Sequence, residues 1–408
     1  MISKGESKLI KINIKLYYIE YIFLILLSVG FLDKSSYLLL ILFATSVLFS
    51  KYRKVMVTAE LIILSVCFFS FYSLYVIYYE RGFELFTFSN FFIGPIIGYL
   101  TGQFLVEGNE KRLRFAILAI CTMLLLHGAA NLSQAADVRV WYDQFIPDIW
   151  NGERVSGTLN GAYFTGGIVL ACFGLLQKKL LNKIILAFSV LLIFWSSLST
   201  AERTIAANLI LTIIFFLYAK AYFGNTGSRR IKQLTKNTVA IGCFILLVVL
   251  AFVNNTFGVQ TAFMKTTLGE RLLMLDSFTK DGRSSALHAV LEALWEQPMG
   301  NLGNMFYAHN LFVDIGRLCG IIPMMLMMIY ILFCIVRMLR LCTNNGLALE
   351  TRMIMFAYYF SFLVNFMLEP ILEGMPMIFI MFCIINGAVA SFLQKNVQNP
   401  RRIINEYC

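Results

Sequence analysis

Between residues 16 and 393 the chain repeats one pattern, an apolar run of 15–25 residues followed by a polar break. A helix needs roughly 20 apolar residues to cross a bilayer core of about 30 Å. Twelve runs fit, near 16–32, 36–50, 55–79, 85–106, 113–130, 159–177, 181–200, 204–221, 238–254, 318–337, 353–371 and 375–393. The sequence thus predicts an all-α integral membrane protein with about 12 transmembrane helices. The second run is short, and the fourth carries Asn90, Gly94, Pro95 and Gly98, residues that weaken a helix; these two are the least regular. Charged residues make up only 14% of the chain, against about a quarter in soluble domains. A soluble globular fold is excluded.

Basic residues give the orientation. With the N-terminus in the cytoplasm, the inner segments hold Lys51/Arg53/Lys54, Lys111/Arg112/Arg114, Lys178/Lys179/Lys183, Arg229/Arg230/Lys232/Lys236, Arg337/Arg340/Arg352 and Arg401/Arg402. Together with Lys4, Lys8, Lys11, Lys15, Lys220 and Lys395, that is 24 of the 34 basic residues. The pattern obeys the positive-inside rule and predicts that both termini are cytoplasmic. The net charge of +11 is then a topology signal, and nucleic acid is not expected as a partner. No A-x-A-like site follows the four N-terminal lysines, so the first run is read as an uncleaved anchor. Residues 1–408 form a single polytopic membrane domain without internal repeats. Two outer loops are long, 131–158 and 255–309. Neither contains any of the nine cysteines, so both must hold their shape without disulfides.

Within 255–309, "SSALHAVLEALW" (284–295) aligns Leu287, Val290, Leu291 and Leu294 on one helical face, with His288 and Glu292 beside it. An amphipathic helix is expected there, capped by Ser284 or Ser285. "EQPMGNLGN" (296–304) follows as a turn built on Pro298, Gly300 and Gly303. The chain then meets the membrane again at His309. Arg154, Arg203, Arg271, Arg283, Arg317 and His309 all face the outer compartment near one membrane plane, where unpaired charge is costly. Guanidinium groups keep their charge and grip phosphate oxygens with a planar fork. An imidazole with an ordinary pKa of about 6.5 can take a proton from a hydroxyl. The combination suits sugar transfer from a lipid-linked pyrophosphate, with His309 activating the acceptor hydroxyl and arginines stabilising the departing pyrophosphate. No D-x-D pair lies outside, so no metal is expected.

Duller readings stand beside these. Arg317 has Asp314 three residues earlier and reads equally as half of an ion pair. Arg203 can pair with Glu202, and Arg139 reads as a solvated loop residue. His127 reads as a satisfied interfacial histidine and His288 as part of a wet helix face. Glu20 and Glu60, inside the first and third runs near the inner face, are expected to snorkel or to pair with lysine.

The stretch "GRSSALHAVLEALWEQPMGNLGNMFYAHNLFVDIGRLCGIIP" (282–323) resembles the signature region of the O-antigen polymerase/O-antigen ligase superfamily. It carries Gly282-Arg283, Trp295, Pro298/Gly300/Gly303, His309-Asn310 and Gly320-Ile321-Ile322-Pro323 in the order found there. "ERVSGTLNGAYFTGG" is similar to the family's element that begins with an arginine and ends in Asn-Pro-Asn, here reduced to Asn160-Gly161. "STAERTIAANL" is similar to its Ser/Thr-x-x-Arg segment, and Arg271 with Gly282 forms an R-x10-G spacing. The resemblance implies a C-type glycosyltransferase-like bundle with a large helical periplasmic loop in the bacterial inner membrane. It implies transfer of an oligosaccharide from undecaprenyl pyrophosphate to an acceptor hydroxyl, without a cofactor, among membrane lipids. By position it makes His309, Arg283 and Arg203 catalytic, and Arg154, Arg271, Asn310 and Arg317 substrate-binding. Family precedent adds a chain-length regulator as a partner. The polymerase is favoured over the ligase, which hands polymer to the lipid A core. A flippase that moves lipid-linked oligosaccharide is the rival from another class.

Overall fold

The computed structural model describes residues 18–50, 54–79, 84–134, 145–273 and 282–398 and is about 82% helical. The N-terminal lysines, Lys51/Arg53, Arg139 and Arg401/Arg402 lie outside the described residues. The first helices are α1 (Tyr18–Ser28), α2 (Ser35–Phe49), α3 (Ala59–Tyr79) and α4 (Leu85–Phe88). A π-helical turn, Ser89–Ile93, joins α4 to α5 (Gly94–Val106). Next come α6 (Glu110–Ser133), α7 (Gly157–Tyr163), α8 (Thr165–Gly174), α9 (Leu180–Thr200) and α10 (Arg203–Gly224). The chain continues through α11 (Gly227–Val253), α12 (Val259–Met264), α13 (Thr267–Leu273) and α14 (Gly282–Glu296). It ends in α15 (Leu311–Cys319), α16 (Ile321–Thr343), α17 (Leu349–Leu368), α18 (Ile371–Gly374) and α19 (Pro376–Gln398). Two short antiparallel strands, β1 (Phe145–Pro147) and β2 (Arg154–Ser156), pair Ile146 with Val155.

The protein is an all-α membrane protein. Among the described residues, eight helices, α3, α6, α9, α10, α11, α16, α17 and α19, are long and apolar enough to cross a bilayer. The other four apolar runs form shorter pieces: α1, α2, the α4–π-turn–α5 stretch, and α7–α8, which breaks at Phe164.

The contacts divide the chain into two compact units. The first comprises residues up to Met123, Ala286–Arg337 and the segment from Pro370. Its centre is the pairing of α5 with α19. Gly94, Gly98 and Gly102 are spaced by four, so they share one helix face, and Ile380, Ile384 and Gly387 of α19 lie against it. A Cβ on Gly102 would overlap the backbone carbonyl of Ile384, and one on Gly387 would overlap that of Tyr99. The glycines that weaken this run as an isolated helix let two backbones touch, as small residues do between membrane helices. Gly387→Ala is expected to cost about 1–3 kcal/mol, because backbone atoms cannot yield to the added methyl as a side chain would. Thermal unfolding of the detergent-solubilised protein measures it; an unchanged midpoint would show that the helices can separate without penalty.

The same unit buries an ion pair between Glu60 and Arg337, whose guanidinium also donates to Tyr99 Oη at 3.1 Å. Glu60 therefore finds an arginine of α16, where the sequence pointed to a lysine. Glu20 is also buried.

The second unit comprises Leu124–Ser285 and Met338–Glu369. Here α8 packs on α9, α17 on α8 and α10, and α7 on α8, α9 and α10. Tyr358, Phe362 and Phe366 of α17 are fully buried in it. α11 packs along α10, yet none of its 27 residues is buried. Its Phe244–Leu250 stretch is left as apolar surface suited to lipid.

Candidate functional site

In the second unit, the loop carrying β1 and β2 is fastened to the end of α6. His127 Nε2 and Asp148 Oδ2 share a hydrogen bond of 2.8 Å, and the imidazole lies against the Tyr163 ring at 4.2 Å. Asn131 Nδ2 donates to the same carboxylate and to Asn160 Oδ1, both at 3.2 Å, while Asn160 Nδ2 donates to Gly128 O. Burial alone would raise the Asp148 pKa. The bonds from His127, from the Trp150 N–H and from Asn131 outweigh it and hold the carboxyl below its usual value. A depressed carboxyl stabilises the fold above its ordinary titration range, and that contribution is lost as pH falls through the lowered value. His127 is thus tied to the protein through Nε2, while its buried Nδ1 has no hydrogen-bond partner among the described residues, so the sequence expectation of a satisfied histidine is met on one nitrogen only. His127→Ala strips a buried acceptor of its partner and should cost about 1–3 kcal/mol. The measurement is thermal stability alongside activity: a folded variant without activity would give His127 a chemical role.

The lock orients α7, which begins at Ser156; the Ser156 hydroxyl accepts from the Leu159 N–H. On its far side α7 presents Gly161 directly against the Glu202 carboxylate, where no Cβ would fit. Glu202 sits in the two-residue turn between α9 and α10, and Ala201 beside it takes a left-handed backbone, φ 53°. Ser197 Oγ donates to the Glu202 carbonyl at 2.7 Å and holds that turn. Arg203 is the first residue of α10, so it adds a full charge to the positive end of a helix.

Thr204 Oγ1 connects this turn to α17. It lies 2.9 Å from Glu369 Oε1 and 3.4 Å from Glu202 Oε1. Both carboxylates are about 1% exposed, and a hydroxyl has one proton to give, so the shorter contact to Glu369 is the bond. Glu369 follows the last residue of α17, and Pro370 ends the helix there. Arg283, near the start of α14, donates from Nη1 to Leu368 O at 3.2 Å and to Glu369 Oε1 at 3.4 Å. One corner of the guanidinium is therefore fixed to the negative end of α17. Its Nε and Nη2 edge bonds nothing among the described residues, and the side chain stays 24% exposed. Glu202, Thr204, Glu369 and Arg283 form one contiguous polar cluster, with Arg203 next in the chain to two of them. Arg154, at the exposed start of β2, lies on the ribbon that leads into α7. Three of the predicted arginines thus belong to the same unit. Arg271 lies in α13, but its side chain falls outside the described residues.

In the first unit, His309 occupies the turn before α15. Its backbone is left-handed, φ 52°, a conformation histidine tolerates better than most residues but still at a cost. Asp314 imposes it. The N–H groups of Ala308 and Asn310, on either side of His309, both donate to the Asp314 carboxylate, at 2.8 and 3.0 Å. Arg317 Nε donates to the same carboxylate at 3.4 Å. Arg317 is fully buried. It also pairs with Glu373, donates to the carbonyls of Gly303 and Met305, and stacks on the Tyr307 ring at 5.1 Å. Asn310 caps α15, accepting from the Phe312 and Val313 N–H groups. Asn310 and Arg317 therefore have fold-building partners that account for them, and their work on His309 is indirect.

The predicted turn at 298–303 is present and is sewn to the following helices. Ile321 N donates to Pro298 O at 2.8 Å and Leu302 N to Arg317 O at 2.9 Å. Gly300 and Gly320 both have left-handed φ, and their backbones interlock where no Cβ would fit. The amphipathic helix is also present, with two corrections. The described residues are helical from Gly282 on, so Ser284 and Ser285 lie inside the helix and not at its N-cap position. Val290 and Leu294 are buried with Leu302, Ala308 and Val313, and Leu287 packs on that cluster, but Leu291 is exposed, because the buried arc is narrower than the apolar arc. His288 is exposed.

Glu369 and Glu373 were not singled out in the sequence. The signal available was a pair of acids flanking Pro370 between two apolar runs, where charge must be paired or used. Among the described residues, no group of three or more His, Cys, Asp or Glu side chains is arranged to hold a metal ion. No protein-family model and no curated protein matches the chain.

Proposed function

We propose that the protein is a multi-pass inner-membrane glycosyltransferase that polymerises O-antigen repeat units. The observation that carries the reading is Arg283. Its Nη1 corner is held by Leu368 O and by the buried carboxylate of Glu369, while among the described residues the rest of its donor edge bonds nothing. Arg203 and Arg154 belong to the same unit. A pyrophosphate leaving group is what such an edge and a positive helix end would stabilise. In the proposed step the acceptor hydroxyl oxygen bonds to the anomeric carbon of the donor sugar. The bond from that carbon to the pyrophosphate oxygen breaks, and its electron pair leaves with undecaprenyl pyrophosphate. The hydroxyl proton goes to a base, the role the family resemblance gives to His309, whose flanking N–H groups are held by Asp314.

The donor is an undecaprenyl-pyrophosphate-linked chain and the acceptor a lipid-linked repeat unit, with a chain-length regulator as a further partner. The reading includes twelve crossings, with α1, α2, α4–α5 and α7–α8 as the four short ones, in a C-type glycosyltransferase-like arrangement. It places both termini in the cytoplasm and the 131–158 and 255–309 loops in the periplasm. The test is the lipopolysaccharide gel of a deletion strain carrying the natural or the His309→Ala gene. Loss of the polymerase leaves core capped with one repeat unit, and only the natural gene restores the ladder. Bare core with stranded lipid-linked polymer would instead identify the ligase. Movement of labelled lipid in reconstituted vesicles without glycoside formation would identify a flippase.

A further inference from the structure

α14 divides its circumference in three. Val290, Leu294 and Leu287 face the first unit's interior. Glu292 and Glu296 are exposed on the opposite side, and His288, also exposed, lies at the border of the flank between them and the core. Between these sectors runs a third, apolar and uncovered. Leu291 and Trp295 are four residues apart and so share a flank, and Met299 continues the line into the turn; all three are exposed, Trp295 at 86%. Phe306, beyond the turn, is 87% exposed. Isolated exposed apolar residues need no account, but a stripe with an aromatic of this size does.

The level of the stripe is fixed by the chain itself. The bond from Ile321 N to Pro298 O puts the turn directly beside the first residue of α16. From that point α16 presents Ile322, Met325, Ile329, Leu332 and Val336 outward at helical spacing, as a span presents its lipid-facing flank. Exposed apolar surface thus passes from a helix apolar enough to span a bilayer to Met299 and, one helical turn back along the chain, to Trp295. Tryptophan is favoured at that boundary, where an apolar ring meets hydrated headgroups. We infer that Leu291, Trp295, Met299 and Phe306 form an interfacial anchor, which seats α14 in the headgroup–acyl boundary of the leaflet at the Ile321 end of α16. The two glutamates stay on the water side, consistent with a helix lying in the interface plane. This inference does not depend on the proposed function.

The experiment compares the natural protein with Trp295→Phe, so that the difference isolates Trp295 emission. The full chain is placed in nanodiscs of phosphatidylethanolamine and phosphatidylglycerol, with or without lipids brominated at shallow acyl carbons. An amphipathic helix sinks about 5–10 Å into this boundary, so bromine should remove roughly half of the Trp295 signal. Aqueous iodide should quench it weakly. Strong iodide quenching with no bromine effect would place the ring in water and overturn the anchor. Indifference to both quenchers would mean that protein covers the stripe, which overturns it equally. Phenylalanine at an exposed position keeps the fold, and circular dichroism of both proteins checks that.

Discussion

Arg283→Lys is expected to lower the rate of glycan chain extension by about a hundredfold or more, the usual cost of losing one preorganised donor to a leaving group. Lysine retains the charge but has a single point donor. It cannot hold Leu368 O and Glu369 with one nitrogen while offering a planar edge to phosphate. Glu369 is the companion test. Glu369→Gln keeps the size of the side chain and its hydrogen bond from Thr204 but removes the charge that fixes Arg283, so a loss of about tenfold is expected, given the strength of charge-assisted bonds. Activity is read with purified lipid-linked repeat units and the protein in nanodiscs. A fully active Arg283→Lys protein beside an inactive Arg283→Ala protein would mean that charge alone suffices and the fork geometry is irrelevant. If all three variants are fully active, the arginine is only a loop anchor.

His309→Gly should abolish chain extension and leave the protein at least as stable as before. The two effects separate because they come from different atoms. Removing the imidazole takes away proton transfer, usually a factor of about 100 to 10,000. Removing the Cβ relieves the left-handed backbone, worth roughly 1–2 kcal/mol, although glycine gives part of that back through its freedom in the unfolded chain. Ordinary loss-of-function variants lose activity and stability together. This one should not. The readouts are thermal unfolding and the lipopolysaccharide ladder, taken on the same variant. A normal ladder from folded His309→Gly protein would exclude the imidazole from the reaction.

Much of the fold was legible because it depends on local periodicity. Each apolar run became helical where it is described, and the 284–295 pattern became α14, with Pro298, Gly300 and Gly303 turning the chain after it. His127 read correctly in part: Asp148 takes its Nε2, but its Nδ1 is buried without a hydrogen-bond partner among the described residues. What escaped were features that depend on partners distant in sequence. Gly94, Gly98 and Gly102 look like helix weaknesses until Ile384 and Gly387 of α19 are seen against them. Leu291 and Leu294 are equivalent by spacing, and only the packed neighbours separate them. Glu369 and Thr204 carry no motif. Their importance arises because α10 and α17 meet, and that brings a hydroxyl to a carboxylate 165 positions away in sequence.

The backbone contact between α5 and α19 also bears on biosynthesis. α5 leaves the ribosome early and α19 only after all of the second unit has been made. Throughout that interval the glycine face of α5 stands open to lipid or to insertase, because Ile380, Ile384 and Gly387, which pack against it, have not yet been made. The intervening unit can consolidate first, and the unit begun first must close last. Premature stops shortly before Pro376 should therefore yield chains that insert but are cleared by membrane proteases, even though most of their helices are already in place.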